Sequence, residues 1–526
     1  MDFLGVLSVP NWLIFIVAVL VTGYLYSMRN YGYWKKRGVK EVQDKFPFQN
    51  IFQSLKTPLH LLLEERYRSF GKLYGVYEGT KPILVVAEPE LIKLITVKDF
   101  HVFSDRRVLK LGDSTLDKML SVQSGEEWKQ TRSIISPTFS SGKMKKMAFL
   151  IKDTIESLIQ NLEEAADKKE VIDCKKFFGA FTMDTIATCA FGTRVDSHKD
   201  PNNPFVKNAR ALFNTNLKLK QIFTLICPTL AGILGIRFIS SNIVNFFQSI
   251  TNQLVEHRQK NKERRNDFLQ LLLDAHHSVQ EDDEQSQETN SMDSAHGHED
   301  EGKAPAWKPT MRNAWTHEDV VANSFLFFLV GYDTTASALS YAAYSLALNP
   351  DCQEKLIQEI DGVWKEHGGI NYEQIGKMVY LDCVVSETLR LFSIALLMER
   401  VANEDYELGD TGIKISKGTL IQIPVYAIHH DPDYYPQPDV FDPERFLPEK
   451  KKDRHPYSYI PFGAGPRNCV GMRFALMEAK LCLAQILRTF RFRACAETRE
   501  KLDFYIGQGL LQAKKVPLQV EKRADV

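Results

Sequence analysis

The sequence lacks an excess of either charge, since Lys and Arg together number 66 and Asp and Glu together also number 66. It therefore carries no bulk positive charge of the kind that binds nucleic acid. Its eight cysteines are scattered, with no C-x-x-C pair and no zinc-binding spacing. This distribution argues against a disulfide scaffold and favours a reducing, cytosol-facing location. A P-loop and a suitably placed G-x-G-x-x-G motif are missing too, so the chain has no nucleotide-binding signature of its own.

No Gly/Ser-rich or Pro-rich linker divides the 526 residues, and no internal repeat is visible. The N-terminal part does contain a long uncharged run, Phe3 to Tyr26, which can cross a bilayer as a helix. The basic residues at 29–37 place the following chain in the cytoplasm by the positive-inside rule. A cleaved signal peptide is the rival, but the run is too long and no cleavage site follows it. We therefore predict a signal anchor over residues 1–27 and a basic linker over 28–49.

Most of the remaining chain has the apolar spacing of helices. Apolar residues recur at intervals of three and four in four segments: 57–69, 143–166, 173–191 and 243–256. Strand-like segments are short: 73–78, 83–86 and 420–424. Residues 276–315 are acidic and polar without an apolar period, which predicts a disordered surface loop. The apolar stretch 212–247 suits either the core or a membrane-dipping region, and the sequence does not decide between them.

The most informative segment is the decapeptide from Phe462 to Gly471, which reads FGAGPRNCVG. It places Cys469 in a glycine-punctuated loop beside an arginine, directly before a segment, 472–490, with the apolar spacing of a buried helix. A helix N-terminus and nearby backbone N–H groups stabilise a thiolate and are expected to keep this sulfur ionised. Such a sulfur is a soft axial ligand for haem iron, so Cys469 is the candidate iron ligand.

The spacing Phe-x-x-Gly-x-Arg-x-Cys-x-Gly resembles the cysteine-ligand loop of the cytochrome P-450 haem-thiolate monooxygenases. The resemblance covers about residues 50–520 and is closest to the microsomal family-3 branch of steroid- and drug-oxidising enzymes, with thromboxane synthase as a relative. It implies a mainly α fold, a triangular helical prism with a smaller β-rich lobe, around one haem b. We expect residues 50–520 to form this domain, with 276–315 as an insert.

A second motif, VGYDTT, begins at Val330 within an apolar segment, residues 320–349, that Thr316 can cap. A glycine and a hydroxyl loosen a buried helix, and an acid beside a threonine can pass protons to bound dioxygen. The resemblance implies that Thr334 is the oxygen-activating hydroxyl and Asp333 the acidic proton relay. The family usually carries a smaller residue at the position of Val330. We expect the extra methyl groups of Val330 to narrow the cavity that receives the substrate.

Trp128 and Arg132 lie four residues apart, so they share one face of a helix. An indole N–H and a guanidinium fork both suit a carboxylate such as a haem propionate. The resemblance implies that this pair binds the cofactor, and it adds further cofactor-binding residues: Arg106, Arg400, Phe462 and Arg467. It also implies that Arg107 is a neighbour without that role.

Glu387 and Arg390 stand three residues apart on one helix face. The resemblance makes them the buried Glu-x-x-Arg pair of the family, completed by Arg445 in a structural triad. Ser393 stands where the family usually has proline.

These features predict a membrane-anchored monooxygenase of the endoplasmic reticulum, single-pass, with its catalytic domain in the cytosol. It would insert one atom of dioxygen into lipophilic substrates, either xenobiotics, steroids or fatty acids, because the expected pocket walls are apolar: Leu326, Leu329, Val330, Ile394, Ala395, Leu396 and Leu510. Since the chain has no length to spare for a flavin domain, electrons must come from a partner. The resemblance implies that this partner is NADPH–cytochrome P-450 reductase, with cytochrome b5 as an alternative second donor. Candidate docking lysines are Lys143, Lys145, Lys146 and the cluster 450–452.

Two other classes of function stay open at this point. One is a haem-thiolate isomerase or dehydratase that rearranges a lipid peroxide without a reductase, although such enzymes tend to lose the acid–threonine pair. The other is a non-catalytic haem-binding or ligand-binding membrane protein.

Overall fold

The computed structural model describes residues 10–42, 49–107, 113–193, 195–200, 202–212, 230, 232, 234–237, 239–262, 264–265, 267–278, 315–506 and 509–525. Parts of four predicted segments therefore lie outside the described residues: 1–9 of the anchor, 43–48 of the basic linker, 213–229, 231, 233 and 238 of the apolar stretch, and 279–314 of the insert.

The described helices are α1 (Asn11–Met28), α2 (Gln49–Ser54), α3 (Leu59–Phe70), α4 (Pro89–Lys93), α5 (Gly125–Ile135), α6 (Ser141–Asp167), α7 (Cys174–Phe191), α8 (Pro204–Leu212), α9 (Ser241–Asn261), α10 (Phe268–Ser278), α11 (His317–Leu348), α12 (Pro350–His367), α13 (Tyr372–Ile375), α14 (Val379–Leu391), α15 (Val425–His429), α16 (Pro448–Lys451) and α17 (Met472–Thr489). The strands are β1 (Leu73–Glu78), β2 (Lys81–Val86), β3 (Ile172–Asp173), β4 (Met398–Val401), β5 (Tyr406–Glu407), β6 (Lys414–Ile415), β7 (Leu420–Ile423), β8 (Phe490–Arg493) and β9 (Pro517–Lys522). The four periodic segments of the sequence correspond to α3, α6, α7 and α9, although the segments at 57 and 173 begin one or two residues before their helices.

Helix α11 runs through the centre of the helical body. Its predicted cap is confirmed, because the Thr316 side chain accepts a hydrogen bond from the Asp319 N–H, and Asp319 in return accepts one from the Thr316 N–H at 2.7 Å. The helix is apolar on nearly every face and therefore packs against helices on several sides, most extensively α7. Gly331 permits this close approach, since a Cβ there would lie 2.8 Å from Ile186 Cδ1 on α7.

The main sheet forms a smaller lobe beside the helices, whereas a second sheet packs into the helical core. The main sheet has the order β1-β2-β7-β4, in which β2 and β7 are parallel and the other neighbours are antiparallel. A second sheet, β3-β9-β8, ties the start of α7 to the C-terminal strand. A buried cluster that includes Leu84, Ile421 and Ile423 forms the core of this β-lobe, separate from the larger helical core. This mainly helical body with a smaller sheet-rich lobe confirms the predicted fold class.

Helix α1 differs from every other long helix described, because its side chains are almost all exposed. Its 18 residues have a mean hydropathy of 1.7, and 6% of them are buried. By length and composition it can cross a membrane.

The predicted limits of the polar insert need correction at both ends. Helix α10 continues to Ser278, and Trp315 is only 4% exposed. The limits of 276 and 315 came from composition alone, which does not register that the last turn of a helix can be polar or that one tryptophan can be buried.

Candidate active site

The loop that carries Cys469 is closed on itself by backbone hydrogen bonds. The Cys469 N–H donates to the Phe462 carbonyl at 2.8 Å, and helix α17 begins three residues later, after Gly471. Gly465 has a φ of +74°, and a Cβ there would lie 1.8 Å from the Thr96 carbonyl oxygen. The loop therefore needs glycine at this position both for its backbone conformation and for its contact with Thr96.

The Cys469 side chain is solvent-accessible, yet protein atoms crowd it from most directions. This burial raises the pKa of the thiol, while the Gly471 N–H, Arg132 and Arg106 act in the opposite direction. Desolvation therefore acts against the ionisation that the helix terminus and its donors are expected to favour. A coordinated metal ion deprotonates a thiol outright, so metal binding would supply the missing stabilisation of the thiolate.

Three arginines hold the cysteine loop in place. Arg132 of α5 donates to the Asn468 carbonyl at 3.0 Å and to its Oδ1 at 2.8 Å. Arg106 donates to the Arg467 carbonyl at 2.8 Å, and Arg400 of β4 donates to the Ala464 carbonyl at 3.2 Å. A guanidinium has five N–H groups, so an arginine that binds a loop carbonyl can also bind an anion.

Arg467 lies at the centre of this cationic cluster. Its guanidinium sits 4.6 Å from the Trp128 ring centroid and 3.4 Å from Asp105 Oδ1. Burial, with the positive charges of Arg106 and Arg132, lowers the pKa of Arg467 to about 9, and Asp105 only partly offsets this.

Buried like charges of this kind are unfavourable unless an anion joins them, and two haem propionates supply that charge beside the thiol ligand. The residues present therefore fit a haem. The structure also brings the predicted set together at one loop: Arg106, Trp128, Arg132, Arg400, Phe462, Arg467 and Cys469.

The VGYDTT motif lies in the middle of α11. Val330 is 46% exposed although the turns before and after it are buried, so this turn borders open space rather than packed side chains. The Thr334 hydroxyl donates to the Val330 carbonyl at 2.6 Å, one turn back. This bond keeps the hydroxyl on the open face and leaves its oxygen able to accept a hydrogen bond.

Asp333 is buried and points to two residues that the sequence did not single out for this role. Lys175 Nζ of α7 donates to Asp333 Oδ1 at 2.7 Å, and the Gln512 amide donates to Asp333 Oδ2. The carboxylate thus contacts Lys175 and Gln512, whereas the Thr334 hydroxyl contacts the Val330 carbonyl. Neither Lys175 nor Gln512 has a local sequence pattern that predicts this contact.

Glu387 and Arg390 form the predicted buried pair. Both side chains are 0% exposed, and Arg390 donates to the carboxylate through Nε at 2.7 Å and through one terminal nitrogen at 2.8 Å. Arg445 Nε lies 3.4 Å from Glu387 Oε1, which completes the triad. Because Arg390 also donates to the His429 carbonyl at 2.9 Å, the pair ties helix α14 to α15.

Ser393 replaces the usual proline with hydrogen bonds. Its hydroxyl lies 2.8 Å from His429 Nδ1 and donates to the Arg390 carbonyl at 3.2 Å. Since the Ile460 N–H donates to His429 Nε2 at 3.0 Å, the ring proton must be on Nδ1, which donates to Ser393. Burial lowers the pKa of His429 well below its usual value, so the ring is neutral.

The expected substrate wall contains two paired segments. The Leu511 N–H donates to the Ile394 carbonyl at 2.8 Å, and the Leu396 N–H donates to the Gly509 carbonyl at 3.2 Å. These bonds place residues 394–396 against 509–511. Arg107 forms ion pairs with Glu78 and Glu399.

Comparison with known proteins agrees with this geometry. The cytochrome P450 family profile matches residues 43–296 and 307–520. The chain is 38% identical to human cytochrome P450 3A5 over 99% of each chain. It is 35% identical to rat cytochrome P450 3A9 and 36% identical to pig cytochrome P450 3A29, each over 98% of this chain and 97% of the relative. The chain therefore belongs to the cytochrome P450 family, as a haem-thiolate monooxygenase whose cofactor is haem b.

Proposed function

We propose that this monooxygenase carries out its reaction between the open face of α11 and the Cys469 loop. The observation that carries the proposal is the convergence of one thiol and a buried arginine cluster on a single loop whose shape depends on Gly465. Cys469 would ligate the iron. Arg106, Trp128, Arg132, Arg400 and Arg467 would hold the propionates, with Phe462 at the edge of the site.

When bound, the haem supplies the activation of dioxygen, with its thiolate ligand favouring O–O cleavage. Thr334 would hold a proton at Oγ1, where its bond to the Val330 carbonyl fixes the direction of the hydroxyl. Asp333 would then supply the proton that replaces the one given up by Thr334. Because its carboxylate is bound by Lys175 and Gln512, delivery requires this carboxylate to leave one of them or to act through a water molecule.

The substrates would be lipophilic small molecules. Leu326 and Leu396 are buried, and Ile394 packs against the same helical core as Leu326, so the wall offers hydrophobic area and few hydrogen-bond partners. Binding would then depend on shape and apolar contact. Val330 would narrow the space nearest Thr334.

Electrons would come from NADPH–cytochrome P-450 reductase, with cytochrome b5 as a second donor. The half-buried Lys143 and the exposed Lys146 of α6 would offer a docking charge, while Lys145 pairs with Glu373. We further propose that α1 makes a single crossing of the endoplasmic reticulum membrane. In this arrangement residues 50–520 would form the cytosolic catalytic domain.

The first test is the absorption spectrum of the reduced protein with carbon monoxide, for wild type, Cys469→His and Cys495→Ser. Wild type and Cys495→Ser should show the strongly red-shifted Soret band of thiolate ligation, and Cys469→His should lose it. The same band in Cys469→His would remove Cys469 as the ligand.

A second test separates monooxygenation from peroxide rearrangement. Lipophilic substrates are incubated with added reductase and NADPH, or with a lipid peroxide alone. Product formation should require reductase and NADPH, and Thr334→Ala should consume NADPH while releasing peroxide. Turnover of the lipid peroxide without reductase would instead support an isomerase.

A further inference from the structure

The chain directly after α1 is folded onto the β-lobe and does not form an open tether. Residues 40–42 run parallel to β1, since the Gly75 N–H donates to the Lys40 carbonyl at 2.8 Å and the Val42 N–H donates to the Gly75 carbonyl at 2.9 Å. The ring of Tyr31 stacks on that of Tyr77, with centroids 4.6 Å apart. These contacts begin within three residues of the end of α1.

Trp34 anchors this segment. Its side chain is 0% exposed and lies directly over Gly75 of β1, where an added Cβ would fall 2.1 Å from Trp34 Cδ1. Gly75 does not have the positive φ that favours glycine, so its small size, and not its backbone freedom, makes room for the indole. A buried tryptophan contributes several kcal/mol of apolar stabilisation, on the order of 3.

Polar contacts reinforce the same placement. The Tyr77 hydroxyl donates to Glu41 Oε2 at 2.6 Å and accepts from the Tyr33 N–H at 3.0 Å. The Asn30 amide donates to the Thr80 carbonyl at 2.7 Å. These bonds join separate points along residues 30–41 to β1 and the following turn. The segment is therefore held against the β-lobe and has little freedom to change its orientation.

The outer surface of this segment is basic and aromatic. The cations are Arg29, Lys35, Lys36, Arg37 and Lys40, and Glu41 is the one acid among residues 29–42. Arg29 lies over the Tyr26 ring at 4.0 Å and Arg37 over the Tyr33 ring at 3.6 Å. The lysines are exposed, whereas the Glu41 carboxylate already accepts a hydrogen bond from the Tyr77 hydroxyl. Cations and tyrosines next to an apolar helix end suit the headgroup layer of a membrane.

We propose that residues 29–42, here called the foot, form a rigid binding surface for anionic lipid headgroups. The foot fixes the β-lobe against the membrane. This inference rests on the proposed crossing by α1, which delivers the foot to the bilayer surface. It also means that the catalytic body has a set orientation, although no proline-rich hinge precedes it.

Proteolysis of the full haem-loaded chain in phosphatidylcholine nanodiscs tests the docking. Proteinase K cleavage within residues 29–42 separates α1 from the body, so the rate is read by fragment size. Gly75→Ala should accelerate this cleavage at least about tenfold, because its Cβ displaces Trp34. Gly369→Ala is the matched control, since nothing lies within 4 Å of its added Cβ. Wild-type cleavage as fast as that of Gly75→Ala would overturn the proposal.

Retention of the carbon monoxide spectrum shows that the body of each variant is folded. If Gly75→Ala fails to bind haem, Trp34→Ala takes its place in the same assay with the same expected acceleration. If alkaline carbonate releases the wild-type chain from the membrane, α1 does not cross the bilayer. That result would overturn both the proposed crossing and the foot. A chain that stays in the membrane but is cut rapidly refutes the foot alone.

The lipid preference is tested by adding about 30% phosphatidylserine to the nanodiscs. Wild-type cleavage should slow by at least about threefold, because each lysine near an anionic surface gains binding energy. The triple variant Lys35→Gln, Lys36→Gln, Lys40→Gln should not respond. The same charge change at Lys143, Lys145 and Lys146 should leave the response intact. An equal response in both triple variants would refute recognition of anionic lipid by the foot.

Discussion

Replacing Gly465 by alanine should damage the cysteine loop more than any other glycine-to-alanine change at a positive φ. Two effects add: a non-glycine residue at φ +74° is strained by roughly 1–2 kcal/mol, and the new Cβ would lie 1.8 Å from the Thr96 carbonyl oxygen. The loop or the Thr96 backbone must therefore move by more than 1 Å, for which overpacked sites lose about 1–3 kcal/mol. We expect a total destabilisation of roughly 2–5 kcal/mol.

Two matched variants separate these effects. Gly412→Ala, with φ +69° and nothing within 4 Å, introduces backbone strain alone. Gly463→Ala adds similar strain within the same loop, but its Cβ would lie 3.1 Å from the Met398 sulfur, on a flexible side chain, and at an ordinary contact distance of 3.7 Å from Asn468 Cα.

The measurements are the urea midpoint and the fraction of protein with the thiolate-type carbon monoxide band. Gly465→Ala should lose much of that band because the Asn468 N–H bonds to the Gly465 carbonyl, so movement at 465 displaces the chain beside Cys469. Gly412→Ala should keep the band. If Gly465→Ala is no less stable than Gly412→Ala and retains the band, the argument from the Thr96 contact is wrong.

Three further predictions concern individual side chains. Glu387→Gln leaves the Arg390 charge buried without its partner, so we expect a loss of about 3–5 kcal/mol in urea unfolding. Val330→Ala removes two methyl groups that border open space, and should increase spectroscopic binding of bulky lipophilic ligands with little loss of stability. Burial raises the pKa of Asp184 to about 7. Its folded form thus holds a proton that the unfolded chain releases near pH 4, and wild-type stability should fall between about pH 4 and 7 by roughly 4 kcal/mol relative to Asp184→Asn.

Each of these has its own control. Glu373→Gln breaks an exposed pair with Lys145 and should change stability by less than about 1 kcal/mol. For Val330→Ala, unchanged affinity across ligands of increasing size would show that this side chain does not limit the space. For Asp184, parallel stability curves of wild type and Asp184→Asn from pH 4 to 8 would contradict the assigned proton.

The sequence was sufficient for features that depend on local pattern. The Thr316 cap, the helix after the cysteine loop and the short strands at 73–78 and 420–423 all follow from residue type and period. The cysteine loop is recognisable because its glycines and its thiol stand within ten residues. Such signals lie within one or two turns of the chain, where sequence spacing determines spatial neighbours.

Features that depend on side-chain direction were not accessible in this way. Lys175 and Gln512 reach Asp333 across 158 and 179 residues, so no local pattern could pair them. The desolvation that raises the pKa of Cys469 is inaccessible for a related reason, because it depends on how many distant segments pack around the sulfur. The docking of Trp34 on Gly75 is likewise visible only after the β-lobe is assembled.

The hydrogen bonds of Ser393 make the amino acids at two distant positions interdependent. Because Ile460 fixes the His429 tautomer, the Nδ1–H needs an acceptor, and the Ser393 hydroxyl provides it. A change of Ser393 to proline, the usual residue of the family, would leave that N–H buried without this acceptor, at a loss of about 1–3 kcal/mol. Substitution at 393 is therefore epistatic with residue 429. An evolutionary exchange between serine and proline at position 393 would therefore pass through a less stable protein, unless the surroundings of His429 changed first.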